Sequence, residues 1–288
     1  MSKVFLVTGS SRGLGREIAE KVLAAGHELV ATARKPEQLA DLVDRYGTHV
    51  RPVELDVTDP VAARAAVAAA VEAFGRLDVV VNNAGYANVA SVEDMTGEDF
   101  RQQLDTNLLG VVNMTKAALP VLREQGAGHI IQVSSVGGRI TTPGVSAYQA
   151  AKFAVGGFSE VLAQEVAPLG IKVTVLEPGG MRTDWAGASM TVHPISEPYE
   201  PTVGRSVEML TDFKQRAAGD PAKVADVLLR VVDLDEPPVR LLLGTDASSY
   251  AAQTEAARAA SDAKWRYLTV STDHDEATTA DLDPTSRA

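Results

Sequence analysis

The chain has no cysteine. That excludes disulfides, thiolate metal sites and a cysteine nucleophile, and it leaves the redox compartment open. No stretch approaches the roughly 18 uninterrupted apolar residues that a membrane-spanning helix needs. Met1 to Gly9 lack the charged start, long apolar run and cleavage site of a signal peptide. A cytoplasmic protein with no membrane partner is therefore expected. Positive charge is also scarce: 27 Lys and Arg against 38 Asp and Glu give a formal net charge of −11. Nucleic acid and anionic membranes demand concentrated positive charge, so no nucleic-acid partner is expected. His27, His49, His129, His193 and His274 are scattered singly, a pattern of hydrogen-bonded structural histidines, and no metal site is expected.

What is present is ample apolar material, 45% of 288 residues, enough for one large α/β domain. Short apolar runs occur at Lys3–Thr8, Glu28–Ala33, His49–Leu55, Asp78–Asn82, His129–Ser134, Lys172–Glu177 and Val239–Leu243. Several are rich in Val, Leu and Ile without strict alternation, which suits strands buried on both faces of a parallel sheet. Between them lie helical patterns at Gly13–Ala25, Pro36–Tyr46, Pro60–Phe74, Glu98–Glu124 and Ala147–Ala167, then near 205–217, 221–233 and 247–267. This rhythm predicts a doubly wound Rossmann-type α/β fold, a mostly parallel seven-stranded sheet with helices on both faces. Residues 178–205 carry breakers at Gly179, Gly180, Gly187, Pro194, Pro198 and Pro201, so no regular element is expected there, and a substrate lid is expected over about 184–218. A single domain over 1–268 and a polar, mobile tail over 269–288 complete the expectation.

The run Thr8-Gly9-Ser10-Ser11-Arg12-Gly13-Leu14-Gly15 falls where the first strand gives way to the first helix. Glycines there allow a tight turn and close approach of a pyrophosphate, and the helix start offers unpaired N–H groups to its oxygens. Gly9, Ser11, Arg12, Gly13 and Leu14 are thus candidate cofactor contacts. The spacing, Gly-xxx-Gly-x-Gly, resembles the turn of the short-chain dehydrogenase/reductase family in its compact single-domain form. The resemblance continues at Asp56-Val57, Asn82-Asn83-Ala84-Gly85, Asn107, Ser135, Tyr148-xxx-Lys152 and Pro178-Gly179-Gly180-Met181-Arg182-Thr183, and it covers about residues 3–245. It implies that Asp56 and Val57 border an adenine, that Asn83, Ala84 and Gly85 run beside the adenosine ribose, and that Pro178, Gly179, Met181 and Thr183 approach the nicotinamide. Asp56 also suits an Asx turn or helix cap before Pro60.

The end of the second strand reads Ala31-Thr32-Ala33-Arg34-Lys35. An acid there favours NAD, and a basic residue accommodates the 2′-phosphate of NADP. Ala33 stands where the acid would be, and Arg34 and Arg12 are available as a phosphate clamp. NADP(H) is expected to be preferred, with NAD(H) as the lesser partner.

Tyr148 and Lys152 are four apart in a helical pattern and so share a face. A cation about 4 Å from a phenol contributes roughly 4 kcal/mol at an effective dielectric near 20, enough to bring a pKa of about 10 to about 7. Lys152, helped by the charge of an oxidised nicotinamide, is expected to bring Tyr148 near working pH as the general acid and base. The family places a serine thirteen residues before its tyrosine, which here is Ser135, to polarise the substrate oxygen; Ser134 is its closest rival. By the same resemblance Asn107 marks a helix irregularity and completes a proton relay.

Trp185, Met190, Val192, Met209, Leu210 and Phe213 offer apolar surface for a hydrophobic ketone, aldehyde or secondary alcohol. The stretch 177–190 resembles the 17β-hydroxysteroid dehydrogenase-like branch of the family, without implying a steroid. A carbonyl reductase of this kind competes with two other readings. One is a non-catalytic NADP(H)-binding sensor, against which the four relay residues argue. The other is an extended-type epimerase or dehydratase, which the short C-terminal part disfavours. The resemblance also implies homodimers or homotetramers.

Overall fold

The computed structural model describes residues 2–182 and 190–282, apart from the side chains of 213–215 and 279–280. Seven strands form one sheet with every pairing parallel: β1 (Val4–Val7), β2 (Glu28–Ala33), β3 (Val50–Glu54), β4 (Val79–Asn82), β6 (Gly128–Val133), β7 (Ile171–Pro178) and β9 (Arg240–Leu243). Their order is β3-β2-β1-β4-β6-β7-β9. The order reverses between β1 and β4, and ligand crevices of open α/β sheets form at such a switch point.

The central strands are buried on both faces by alternation, and the edge strands β3 and β9 only in part. Phe5 and Val7 of β1 enter one core cluster, packed under α1 (Gly13–Ala24), α2 (Ala40–Tyr46) and α8 (Pro221–Val232). Val4 and Leu6 enter the other, under α3 (Pro60–Phe74), α5 (Gly110–Gln125) and α6 (Ser146–Val166). Helix limits follow local chemistry. Asp59 caps α3 by accepting from Val61 N at 2.7 Å, Pro60 opens it, and Gly75 closes it at φ +77°. α4 (Gly97–Leu104) starts on a Thr96–Asp99 pair in which Thr96 Oγ1 accepts from Asp99 N. α7 (Arg205–Arg216) and α9 (Thr245–Thr269) complete the set around the C-terminal edge of the sheet.

Three features depart from expectation. The helix expected over Glu98–Glu124 is interrupted by a π turn at Asp105–Leu109, centred on the fully buried Asn107. The stretch expected to lack regular structure holds a strand, β8 (Met190–Val192), paired in parallel with β5 (Ala87–Val89), then helical turns at Glu197–Tyr199 and Glu200–Gly204. A three-residue strand made by a partner a hundred residues away leaves no local pattern to detect. The tail is not featureless either: helical turns occur at Val270–Thr272 and Thr279–Leu282, the latter begun by Thr278 N donating to Asp281 Oδ2 at 3.1 Å.

A buried ion cluster fixes the sheet's far edge. Glu177 on β7 has no exposed surface. Its Oε2 accepts from Arg139 Nε at 2.7 Å and its Oε1 from Arg240 Nε at 3.0 Å. The arginines reach outward to Glu255 at 3.1 Å and Glu160 at 2.9 Å. Gly156 in α6 leaves room for the Arg240 guanidinium, which would stand 3.0 Å from a Cβ there. β7, β9, α6, α9 and the loop after β6 thus meet at one carboxylate. Replacing Glu177 by Gln leaves two part-buried cations short of charge. We expect about 3 kcal/mol of lost stability, seen as a lower urea midpoint with an unchanged m-value.

Candidate active site

The glycine turn closes tightly. Gly9 and Gly13 adopt φ +69° and +55°, conformations that only glycine takes without strain. A Cβ on Gly15 would lie 2.2 Å from Gly9 O and 2.4 Å from Asn83 Nδ2, so the first turn of α1 can press directly onto the loop. Asn83 reinforces this by donating from Nδ2 to Thr8 O at 2.9 Å. Thr8 Oγ1 in turn accepts from Asn83 N at 2.9 Å and Ala84 N at 3.0 Å, stitching β1 to the end of β4 across the switch point. The first turn of α1 has neither a side-chain cap nor an acidic residue. Its leading N–H groups therefore face the crevice as donors for an anion.

Arg12, Arg34 and Lys35 border the same crevice and carry no ion pair among the described residues. Asp56 forms the Asx turn, its Oδ1 accepting from Thr58 N at 2.9 Å and Thr58 Oγ1 at 2.7 Å, while the cap of α3 falls to Asp59. Val57 is buried beneath it, its carbonyl bonded by Asn113 Nδ2 at 3.0 Å. Both Asp56 and Val57 still line the crevice, as do Gly9, Ser11, Gly13, Leu14, Asn83, Ala84, Gly85, Pro178, Gly179 and Met181. Thr183, Asp184 and Trp185 lie outside the described residues, as does the Phe213 side chain.

The crevice continues without a break to Ser135, Tyr148 and Lys152, forming one cavity of about 1480 Å³. Tyr148 and Lys152 retain only 7% and 4% of their surface. The Lys152 ammonium donates to Val133 O at 2.9 Å and lies 5.6 Å from the centre of the Tyr148 ring. The two serines separate clearly. Ser134 is buried, with its hydroxyl donating to Lys152 O at 3.4 Å. Ser135 is half-buried, accepts from Gly137 N at 3.0 Å and hydrogen-bonds Tyr148. Asn107 does not line the cavity. Its amide clasps the Tyr86 backbone, Oδ1 accepting from Tyr86 N at 3.0 Å and Nδ2 donating to Tyr86 O at 2.9 Å. It flanks Lys152 across Gly85, whose Cβ position would be 2.6 Å from Asn107 Oδ1 and 3.8 Å from Lys152 Nζ.

In the chain without a nicotinamide's charge beside it, burial governs both Tyr148 and Lys152. Burial pushes the Tyr148 phenol up to about 12, and the Ser135 hydrogen bond offsets only part of this. Burial also pulls the Lys152 ammonium down to about 8. The simple picture of a lysine acidifying its neighbour assumed an effective dielectric that spares the cation. Here the same dry environment weakens both charged forms.

The substrate side also differs from expectation. Met190 packs with Tyr148, Val145 and Val203 instead of lining the cavity, and Val192 is exposed; from that segment the cavity receives Thr191. Met209 and Leu210 do line it, as do Ile140, Thr141, Thr142 and Val145. Sequence reasoning missed Gln149, which lines the wall beside Tyr148, and Asp246, whose Oδ2 accepts from Gly180 N at 2.8 Å. It also missed Tyr250, Gln253 and Thr254 of α9, which form part of the rim. The Gln149 position was readable as the next residue on the Tyr148 helix. The α9 residues carry no local signal.

A family model described as short chain dehydrogenase matches residues 3–191. The oxidoreductase BOA17 of Botryotinia fuckeliana is 56% identical over 271 residues, covering 94% of this chain and 99% of that one. A short-chain dehydrogenase from Streptomyces avermitilis superposes with a TM-score of 0.89 at 38% identity, over 95% of this chain and 100% of that one. A short-chain dehydrogenase/reductase from Burkholderia phymatum, solved in complex with NAD, gives a TM-score of 0.74 at 25% identity over 84% and 88% of the two chains. With this agreement of motif order, sheet order and sequence, the chain belongs to the short-chain dehydrogenase/reductase family of oxidoreductases.

Proposed function

We propose that this oxidoreductase interconverts a ketone or aldehyde and an alcohol, preferably a secondary alcohol with apolar flanks, using NADP(H) as its favoured cofactor. One observation carries the reading: a single cavity joins an anion-ready glycine cradle at one end to Ser135 and the buried Tyr148 and Lys152 at the other. The cradle fits a dinucleotide, because the turn holds Gly9 and Gly13 at positive φ with no side chain in the way and the α1 start offers uncapped donors. Gly9, Ser11, Arg12, Gly13 and Leu14 would hold its pyrophosphate, and Asp56, Val57, Asn83, Ala84 and Gly85 its adenosine half. Pro178, Gly179, Met181 and Thr183 would hold its nicotinamide half. When bound, the nicotinamide supplies or accepts the hydride.

The chain's own residues manage the proton. A phenol raised to about 12 is fully protonated at neutral pH, which suits it as the acid that delivers a proton to the oxygen of a reduced carbonyl. Ser135 fixes that oxygen by hydrogen bonding. Lys152, anchored on Val133 O, keeps positive charge beneath the phenol and stabilises the phenolate left when the proton has gone. Asn107 completes the relay through the backbone of its π turn, since Tyr86 occupies its amide. We also propose that the protein works as a homodimer or homotetramer in the cytoplasm, with no nucleic-acid partner; the described residues include no helix long and apolar enough to cross a membrane.

Arg12 and Arg34 carry the cofactor preference in this proposal, through charge-assisted bonds to a 2′-phosphate. Replacing both by Ala should weaken NADPH binding about tenfold to a hundredfold and NADH binding by less than threefold. Fluorescence titration reads both, and an equal loss for the two cofactors contradicts the assignment. Tyr148→Phe should cut kcat by about 10²–10⁴ while NADPH affinity stays within twofold. Lys152 is charged below about pH 8 and loses its proton above it. Reduction kcat/KM should therefore be level below that pH and fall as pH rises through it; a profile flat to pH 10 refutes the role given to the ammonium.

A further inference from the structure

α6 presents Tyr148, Gln149 and Lys152 on neighbouring positions of one face, and all three line the cavity. Gln149 is 7% exposed. Its Oε1 accepts from Thr142 N at 2.8 Å, and because that partner is a backbone donor, the orientation of the amide is fixed. The Nε2 group therefore points away from Thr142. No described residue accepts from it, and it is not sealed inside the protein. A Cβ placed on Gly137 would stand 3.4 Å from Ser135 Oγ and 3.5 Å from Gln149 Nε2. The two polar groups thus flank one small volume at the reacting end of the cavity.

The amide spends its oxygen on Thr142 and turns two N–H donors onto the cavity beside Ser135, where a ligand oxygen can take the place of water. We propose that Gln149 is a specificity-determining residue that donates to a second oxygen of the substrate, on the carbon β to the reacting carbonyl carbon. The proposal rests on the carbonyl–alcohol reading above and narrows it from plain hydrophobic ketones to 1,3-dioxygenated compounds. A neutral amide offers hydrogen bonds without charge, which suits an ester, amide or hydroxyl oxygen. Ser135 and Tyr148 take the reacting oxygen, Gln149 takes the other, and the pair fixes which face of the carbonyl is presented to the hydride.

The test compares ethyl acetoacetate with heptan-2-one, which has the same chain length but lacks the second oxygen. Gln149→Glu keeps an acceptor for Thr142 N while removing the donor, and Gln149→Leu removes both. In the unaltered enzyme kcat/KM should favour the keto ester by about tenfold to a hundredfold. In both variants that ratio should collapse toward one. An equal fall for both substrates, or a ratio retained in Gln149→Glu, shows that Gln149 only supports the Thr142 loop and overturns the proposal. Calorimetric binding of ethyl 3-hydroxybutanoate and heptan-2-ol to the unaltered protein and the two variants, with NADPH present, reads the same contact without turnover. If neither ketone is reduced, the carbonyl–alcohol reading fails. The binding preference, present and lost in the variants or absent throughout, still decides the role of Gln149.

Discussion

Burying the Lys152 ammonium beneath the end of β6 constrains everything near it. A cation at 4% exposure loses most of its hydration, and Val133 O at 2.9 Å returns only part of it. α6 must then lie close against the loop after β6. Gly138 permits this: a Cβ there would be 2.8 Å from Lys152 O. Ser134 closes the contact by donating to that same carbonyl. The loop is thereby pinned with Ser135 facing the cavity, and the residue four positions before the lysine is held under the same dry roof. The placement of the acid, the cation and the orienting hydroxyl is therefore a single packing solution.

Much of this was legible in the sequence because it is local. All seven strands of the main sheet were marked by short apolar runs, and the helices between them by periodicity, although the cap before Pro60 is Asp59 and not Asp56. The crevice residues could be placed because a glycine turn and a Tyr-xxx-Lys spacing each describe the geometry of a few consecutive residues. What escaped notice depends on partners distant in sequence. β5 and β8 exist only because Ala87 and Met190 meet, and the π turn at Asn107 answers to Tyr86 twenty-one residues earlier. The dryness of the Tyr148–Lys152 pair escaped for a related reason: spacing reveals that a lysine is a neighbour, whereas burial of the pair is a property of the whole packed domain.

The edges of the cavity are built differently from its floor. Backbone and side-chain hydrogen bonds hold the floor, through Thr8, Asn83 and Asn107, to the sheet itself. The far wall is assembled from α7 and α9, which reach it over the C-terminal edge with Met209, Leu210 and Tyr250 about half exposed or partly buried. Chemistry is thus fixed by the sheet, while the surface that selects a substrate lies on elements joined to it by fewer contacts.

The carboxylate shared by Arg139 and Arg240 bears on how such a protein diverges. Its three members lie on segments separated by dozens of residues, yet no one of them is replaceable alone without stranding charge in a dry interior. During drift they should behave as one heritable character, retained or exchanged together for an apolar trio. The neighbouring rim, with no such bond between its members, is free to change residue by residue. One edge of the fold is therefore conservative and the other permissive, a division favourable to a lineage that acquires new substrates while keeping one reaction.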